Sequence, residues 1–228
     1  MNLTPVQSRI VGCLIEKEMA TPDNYPLTLN ALLTACNQTT NRNPVTKLDE
    51  HTVGNALQNL RAMNVVRIVY SRSNRADKFR HVIDEMLALE PEHMAVLCVL
   101  LLRGPQTSGE LRTRTERLHP FSSQEEVDDV LHQLAGRNEP LVARLERRPG
   151  QKESRWAHLL GADLAEILAG EDEDDDEPAS DGRPPRIDRV AALEDAVAGL
   201  RADLERLQRA HRALVARLGE TDPELDEA

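Results

Sequence analysis

The feature that most constrains this chain is a buried stripe that occurs twice. Val53, Ala56, Leu57 and Leu60 stand at i, i+3, i+4 and i+7, the spacing of one face of an α-helix. The same pattern returns 74 residues later as Val127, Val130, Leu131 and Leu134. A helix docked by such a stripe leaves its other side to solvent. On the first copy that side carries His51, Asn55, Gln58 and Arg61. Recurrence at a fixed offset marks an internal duplication, so a fold for one copy must serve for both.

The elements around each stripe follow one order. Thr4-Pro5, a capping residue before a proline at the first helical position, opens a helix reaching about Met19. Val6, Ile10, Val11, Leu14 and Ile15 form its inner face. After a turn-rich connector, Thr28 caps a second helix with Leu29, Leu32, Leu33 and Cys36 inward. An Asn-rich loop precedes the striped helix, which starts near Asp49, where an acidic residue suits the helix dipole. Val65 to Ser71 reads as a strand, and Phe79 to Ile83 as its returning partner. In the second copy Glu90 to Arg103 is a helix apolar enough to be buried. Thr107-x-x-Glu110 and Ser123-x-x-Glu126 open the next two. Leu141 to Arg147 and Ser154 to Leu160 supply a second hairpin around a turn at residues 148–152.

The last third has a different composition. Glu171 to Glu177 is an unbroken acidic run followed by a Pro- and Gly-containing segment, which cannot bury a core. Beyond it, Val190, Val197, Leu204, His211 and Leu218 fall at heptad position a, and Leu193, Leu200, Leu207 and Leu214 at position d. That pattern predicts a parallel two-stranded coiled coil, with Arg189 at g facing Glu194 at e of the partner. The alternative is a single amphipathic helix folding back on the second copy.

The fold class expected is therefore mainly α with small β wings: two tandem winged-helix domains, an acidic linker and a C-terminal coiled-coil helix. The boundaries are 1–84, 85–168, 169–186 and 187–218, with a short tail at 219–228. No apolar run is long enough to span a membrane and no secretory leader opens the chain, so the expected setting is the cytoplasm.

A net charge of −11 argues against nucleic acid only until it is divided. Residues 1–84 carry +3, residues 85–160 carry −2, and the remainder carries −12. The first copy alone has the sign that phosphate requires. Its candidate DNA contacts are His51, Asn55, Gln58 and Asn59, since Asn and Gln amides can pair with adenine in the major groove. Arg42, Lys47, Arg72, Arg75, Lys78 and Arg80 are candidates for phosphate. In the second copy Glu125, Glu126, Asp128 and Asp129 crowd the start of the striped helix, although Arg112, Arg114, Arg117, Arg144, Arg147 and Arg148 leave a basic patch open. With five aromatics in the chain, a base-stacking platform is a poor reading, and Trp156 is assigned to the core of a returning strand.

Chemistry finds little support. The phosphate-loop, dinucleotide, zinc-protease and nucleophile-elbow motifs are all absent. The seven histidines are scattered, and the three cysteines lie far apart among aliphatics. The chain is expected to be non-enzymatic, with no cofactor and no metal. The Asn-rich loop, Asn37 to Pro44, keeps two readings: side chains bonding back to their own backbone, or contact with a partner.

Three contiguous stretches carry a resemblance. LTPVQSRIVGCLIEKEMATPDNYP, TPDNYPLTLNALLTACNQTTNRNPV and GPQTSGELRTRTERLH resemble the signature of the YceH-like family of bacterial proteins over about residues 1–160. The resemblance implies a tandem winged-helix fold. It brings no assigned activity, so no functional residue is carried over. Two roles follow from the reading as a whole. One is a DNA-associated regulator, homodimeric through its coiled coil, with double-stranded DNA as partner. The other is a protein-interaction scaffold that uses the same fold without DNA.

Deleting residues 187–218 should halve the mass measured in solution by light scattering. An unchanged mass would remove the coiled-coil dimer.

Overall fold

A computed structural model describes residues 1–70, 76–147 and 153–161. The heptad residues from Val190 to Leu218, the linker, the tail, Arg72, Arg75 and the second hairpin's turn lie outside these residues. All the described residues fall in one compact unit.

The protein is mainly helical with two small antiparallel sheets. Helix α1 is Pro5–Ala20. Thr4 caps it reciprocally: its Oγ accepts from Gln7 N at 3.3 Å while its own N–H donates to Gln7 Oε1 at 2.9 Å. Gln7 through Ile15 are all buried, so this helix is central rather than one-sided. Strand β1 is the two-residue Leu27–Thr28. Helix α2 is Leu29–Cys36, with Thr28 as its cap, and α3 is Glu50–Ala62, with Asp49 as its cap. Strands β2, Val66–Val69, and β3, Lys78–His81, follow. The sheet order is β1-β3-β2, and Phe79 sits in the middle opposite both Leu27 and Ile68.

The residues that follow run through a similar order of elements. Helix α4, Ile83–Leu87, joins the halves, so the boundary drawn at residue 84 falls inside a helix. Ile83, expected to close the strand, instead opens this turn. Helix α5 is Pro91–Arg103, α6 is Ser108–Thr115 and α7 is Gln124–Ala135. Strands β4, Val142–Arg144, and β5, Trp156–His158, form the second hairpin. Gln106 bridges Trp156 just before the Thr107 cap. Leu27 likewise pairs with Phe79 just before the Thr28 cap. Both halves therefore hold a short pairing just before a helix cap that neither hairpin pattern announced.

The halves share one core. Nine consecutive residues of α5, Met94 to Leu102, are buried, which requires partners on every side. Helix α1 packs along it. A Cβ on Gly12 would stand 2.8 Å from Leu102 Cδ2, and the Cys98 thiol lies 3.4 Å from Gly12 O. Only a side chain as small as hydrogen lets the helices meet this closely. The outer end of the second hairpin returns to the start of the chain, where Leu3 N donates to Leu160 O at 2.7 Å.

Replacing Leu97, 1% exposed in this core, with alanine should cost roughly 2–5 kcal/mol. The thermal transition should remain single, because both copies lose the same packing. Two separable transitions in calorimetry would mean that the copies unfold independently.

Candidate nucleic-acid interface

Helix α3 begins where Asp49 Oδ1 accepts the Thr52 N–H at 2.7 Å. The carboxyl is held below its usual range by that backbone hydrogen bond and one from the Thr52 hydroxyl. The stripe Val53, Ala56, Leu57 and Leu60 is buried, as the spacing requires. His51, Asn55, Gln58, Asn59 and Arg61 are exposed. The links are those of one helix face: His51 to Asn55 and Asn55 to Asn59 are i, i+4, and Gln58 to Arg61 is i, i+3. Asn55 Nδ2 lies 3.3 Å from the His51 ring nitrogens. From His51 to Met63 the helix carries no acidic residue.

Lys47, just upstream, is exposed. Lys78 and Arg80 on β3 are half-exposed. Arg80 is already engaged with Glu85, which also pairs with the exposed Arg67 at 3.2 Å. The structure thus places Lys47, His51, Asn55, Gln58 and Asn59 on or just before α3, adds Arg61 on the same helix, and leaves Arg80 partly neutralised.

Arg42 is a correction to the candidate set. Its side chain is 0% exposed and cannot reach a phosphate. It donates through Nη1 and Nη2 to Glu16 Oε1 and Oε2 at 3.0 and 2.7 Å, through Nε to Ala35 O, and through Nη2 to Gln38 Oε1. In sequence it stood beside the polar run TTN and looked like loop surface. The loop is in fact a clamp. The Asn37 amide donates to Leu48 O at 2.8 Å and accepts from Leu48 N at 2.7 Å. Thr46 donates to Cys36 O, and Asn43 N donates to Leu102 O. Side chains and backbone from Asn37 to Leu48 thereby tie α1, α2, α5 and the start of α3 together. The three cysteines are buried and unpaired. Neighbouring Cys13 and burial push the Cys36 thiol up, and burial pushes Cys98 up, so neither is a nucleophile.

The matching helix of the second copy differs in charge. Helix α7 starts with Glu125 and Glu126 followed by Asp128 and Asp129. Backbone and hydroxyl hydrogen bonds hold Glu125 and Glu126 below the usual carboxylate range, so this end is anionic. Trp156 is buried in β5, edge-on to His132 at 5.5 Å. Among the described residues no helix is long and apolar enough to cross a membrane.

Residues 3–151 match the family described as a protein of unknown function, DUF480. A UPF0502 protein of Pelobacter propionicus is 48% identical over 209 residues, covering 92% of this chain and 94% of the relative. One from Geobacter sulfurreducens is 50% identical over 198 residues, covering 87% and 90%. One from Pseudoalteromonas atlantica is 42% identical over 222 residues, covering 91% and 96%. The three relatives match over more than the 160 residues that the signature stretches span.

The Glu16–Arg42 pair gives the clamp a pH signature. Burial alone would raise the Glu16 carboxyl, but the Arg42 hydrogen bonds and charge, with Lys17, hold it below the usual range. A folded pKa below the unfolded one contributes stability above the unfolded value and loses it as pH falls through the folded value. Urea midpoints should therefore drop on acidification below about pH 4.3. Glu16→Gln, which strands a buried guanidinium, should cost roughly 3–5 kcal/mol at neutral pH and flatten that acid limb. Wild-type stability in the variant would show that the pair does not hold the clamp.

Proposed function

The chain belongs to the DUF480 family, and for it we propose a DNA-associated regulatory role without catalysis. Each copy is read as a winged helix, with α3 as the recognition helix of the first. The observation that carries this reading is the acid-free exposed face of α3, from His51 through Arg61, within the half that carries net positive charge. Amides at Asn55, Gln58 and Asn59 can read base edges, while Lys47, Arg61, Lys78 and the hairpin arginines Arg72 and Arg75 answer phosphates.

The charges also orient the approach. Asp49 and Glu50 make the first turn of α3 unwelcoming to phosphate, so the helix would enter by its middle and C-terminal end, where Asn55 to Arg61 lie. The second copy, acidic at the matching place, would not read DNA. The heptads from Val190 to Leu218 would pair two chains and present two α3 helices to two half-sites. Such a protein would work in the cytoplasm.

A scaffold reading has one observation in its favour. The acidic start of α7 suits a basic protein surface, and tandem winged helices without DNA contact would expose it in the same way.

The test is anisotropy of random-sequence duplex DNA with the full chain at low salt. Binding should occur, and Arg72→Ala with Arg75→Ala should weaken it on all sequences alike. Each lost phosphate contact should flatten the salt slope by about 0.9. Asn55→Ala with Gln58→Ala should erase sequence preference while leaving that slope. Failure of the wild-type chain to bind any duplex would leave the scaffold as the better reading.

A further inference from the structure

Gly161, the last described residue, is buried and forms a parallel bridge with Leu3, whose N–H donates to Leu160 O at 2.7 Å. Parallel pairing gives the two backbones one direction. Past Leu3 the chain runs through Thr4 into Pro5 and Val6, the first turn of α1. The chain that leaves Gly161 therefore sets out alongside that turn.

Pro5 and Val6 also line a cleft of about 180 Å³, and Gly161 lines it with them. Leu100 and Leu101 of α5, with Leu48 of the clamp loop, complete its apolar walls. The nearby polar groups are not on offer. Arg9 Nη2 donates to Pro44 O at 2.6 Å, and Arg9 Nη1 and the Ser8 hydroxyl are sealed from solvent. At the Pro44 corner Val45 is 53% exposed. The cleft thus presents hydrocarbon, which gains by being covered. An apolar cavity of roughly 150 Å³ holds a benzene ring, so aliphatic side chains match this space and a folded ligand does not.

The residues after Gly161 are ADLAEILAG. Leu164, Ile167 and Leu168 stand at i, i+3 and i+4, with Asp163 and Glu166 off that face. Gly170 and the acidic run from Glu171 end the apolar stretch, and the heptads begin only beyond the linker. We propose that residues 162–169 dock in this cleft as a short amphipathic helix, with Leu164, Ile167 and Leu168 against Val6, Leu48 and Leu101. Leu164 follows Gly161 by three positions, a reach of about 10 Å at most. A tether this short gives an effective concentration on the order of millimolar, so an apolar stretch from a second copy or another protein competes at a disadvantage. Thr46 and Leu48 line the cleft and lead into the Asp49 cap of α3. The docked segment braces that lead-in, so residues beyond the second hairpin help to set where α3 begins. The inference stands apart from the DNA reading.

The experiment uses the full chain with Leu164→p-benzoylphenylalanine, photo-crosslinked as a mixture of isotopically light and heavy chains and mapped by mass spectrometry. Crosslinks should join Leu164's position to peptides carrying residues 5–6, 44–48 or 100–101 of the same chain. Light-to-heavy crosslinks would mean that a second copy fills the cleft, and would overturn the proposal. So would crosslinks confined to other peptides. Hydrogen exchange without the probe gives the second measurement. The Leu48 amide donates to Asn37 Oδ1 at 2.7 Å. Leu164→Ser with Ile167→Ser should speed exchange at residues 45–48 about tenfold or more, while α7 keeps its protection. Asp163→Ser with Glu166→Ser, on the other side of the segment, should leave those amides within about twofold of wild type. Wild-type exchange in the first pair would overturn the proposal, and so would equal acceleration by both pairs, since the apolar face would then not be what docks.

Discussion

The packing of α1 along α5 at Gly12 is the contact on which the other arrangements depend. Neither helix has a polar side to spare over its middle, since Ile10 to Ile15 and Met94 to Leu102 are buried throughout. A helix apolar all round must be enclosed, and each helix supplies part of the enclosure of the other. The remaining elements close the gaps. Helices α2 and α3 cover α1, α6 and α7 cover α5, strand β3 packs on α1 and β5 on α5. The two halves thus differ from beads on a string: α1 and α5 each form the core of the other half.

Polar groups then decide where the surface can work. The loop from Asn37 to Leu48 crosses the seam between the halves, and its amides, hydroxyls and Arg42 satisfy backbone groups there. Buried ion pairs add little net stability against an apolar alternative but penalise wrong arrangements strongly. The Glu16–Arg42 pair acts in this second way, because only one seating of the loop reunites them. Two arginines, Arg9 and Arg42, are both buried near this loop, and only Arg42 meets a carboxylate.

Much of this was legible in the sequence where a local rule governs. The stripes at Val53 to Leu60 and Val127 to Leu134 marked two docked helices, and Thr4, Thr28, Asp49, Thr107 and Ser123 all cap helices as their residue types require. What was not legible depends on distant partners. Strand β1 is two residues long and exists because Phe79 is there to pair with Leu27. The Gln106–Trp156 bridge has the same origin. Arg42 reads as exposed because its neighbours are polar, and only the tertiary position of Glu16, in a helix that precedes it, buries it. The polar face of α3 was legible because periodicity alone assigns it. Its acid-free character was legible too, but the half-neutralised state of Arg80 needed Glu85 to be seen beside it.

The seam has a consequence for the order in which the protein can be made. Helix α1 is synthesised well before the helix that encloses it, α5, and the bond from Leu3 to Leu160 forms later still. During that interval α2 and α3 can cover α1 in part, but the face that meets α5 has no cover. Domains that fold as units during synthesis hide such surface early. Here α1 waits for α5, so the growing chain keeps part of that apolar face open until the second helix has followed it.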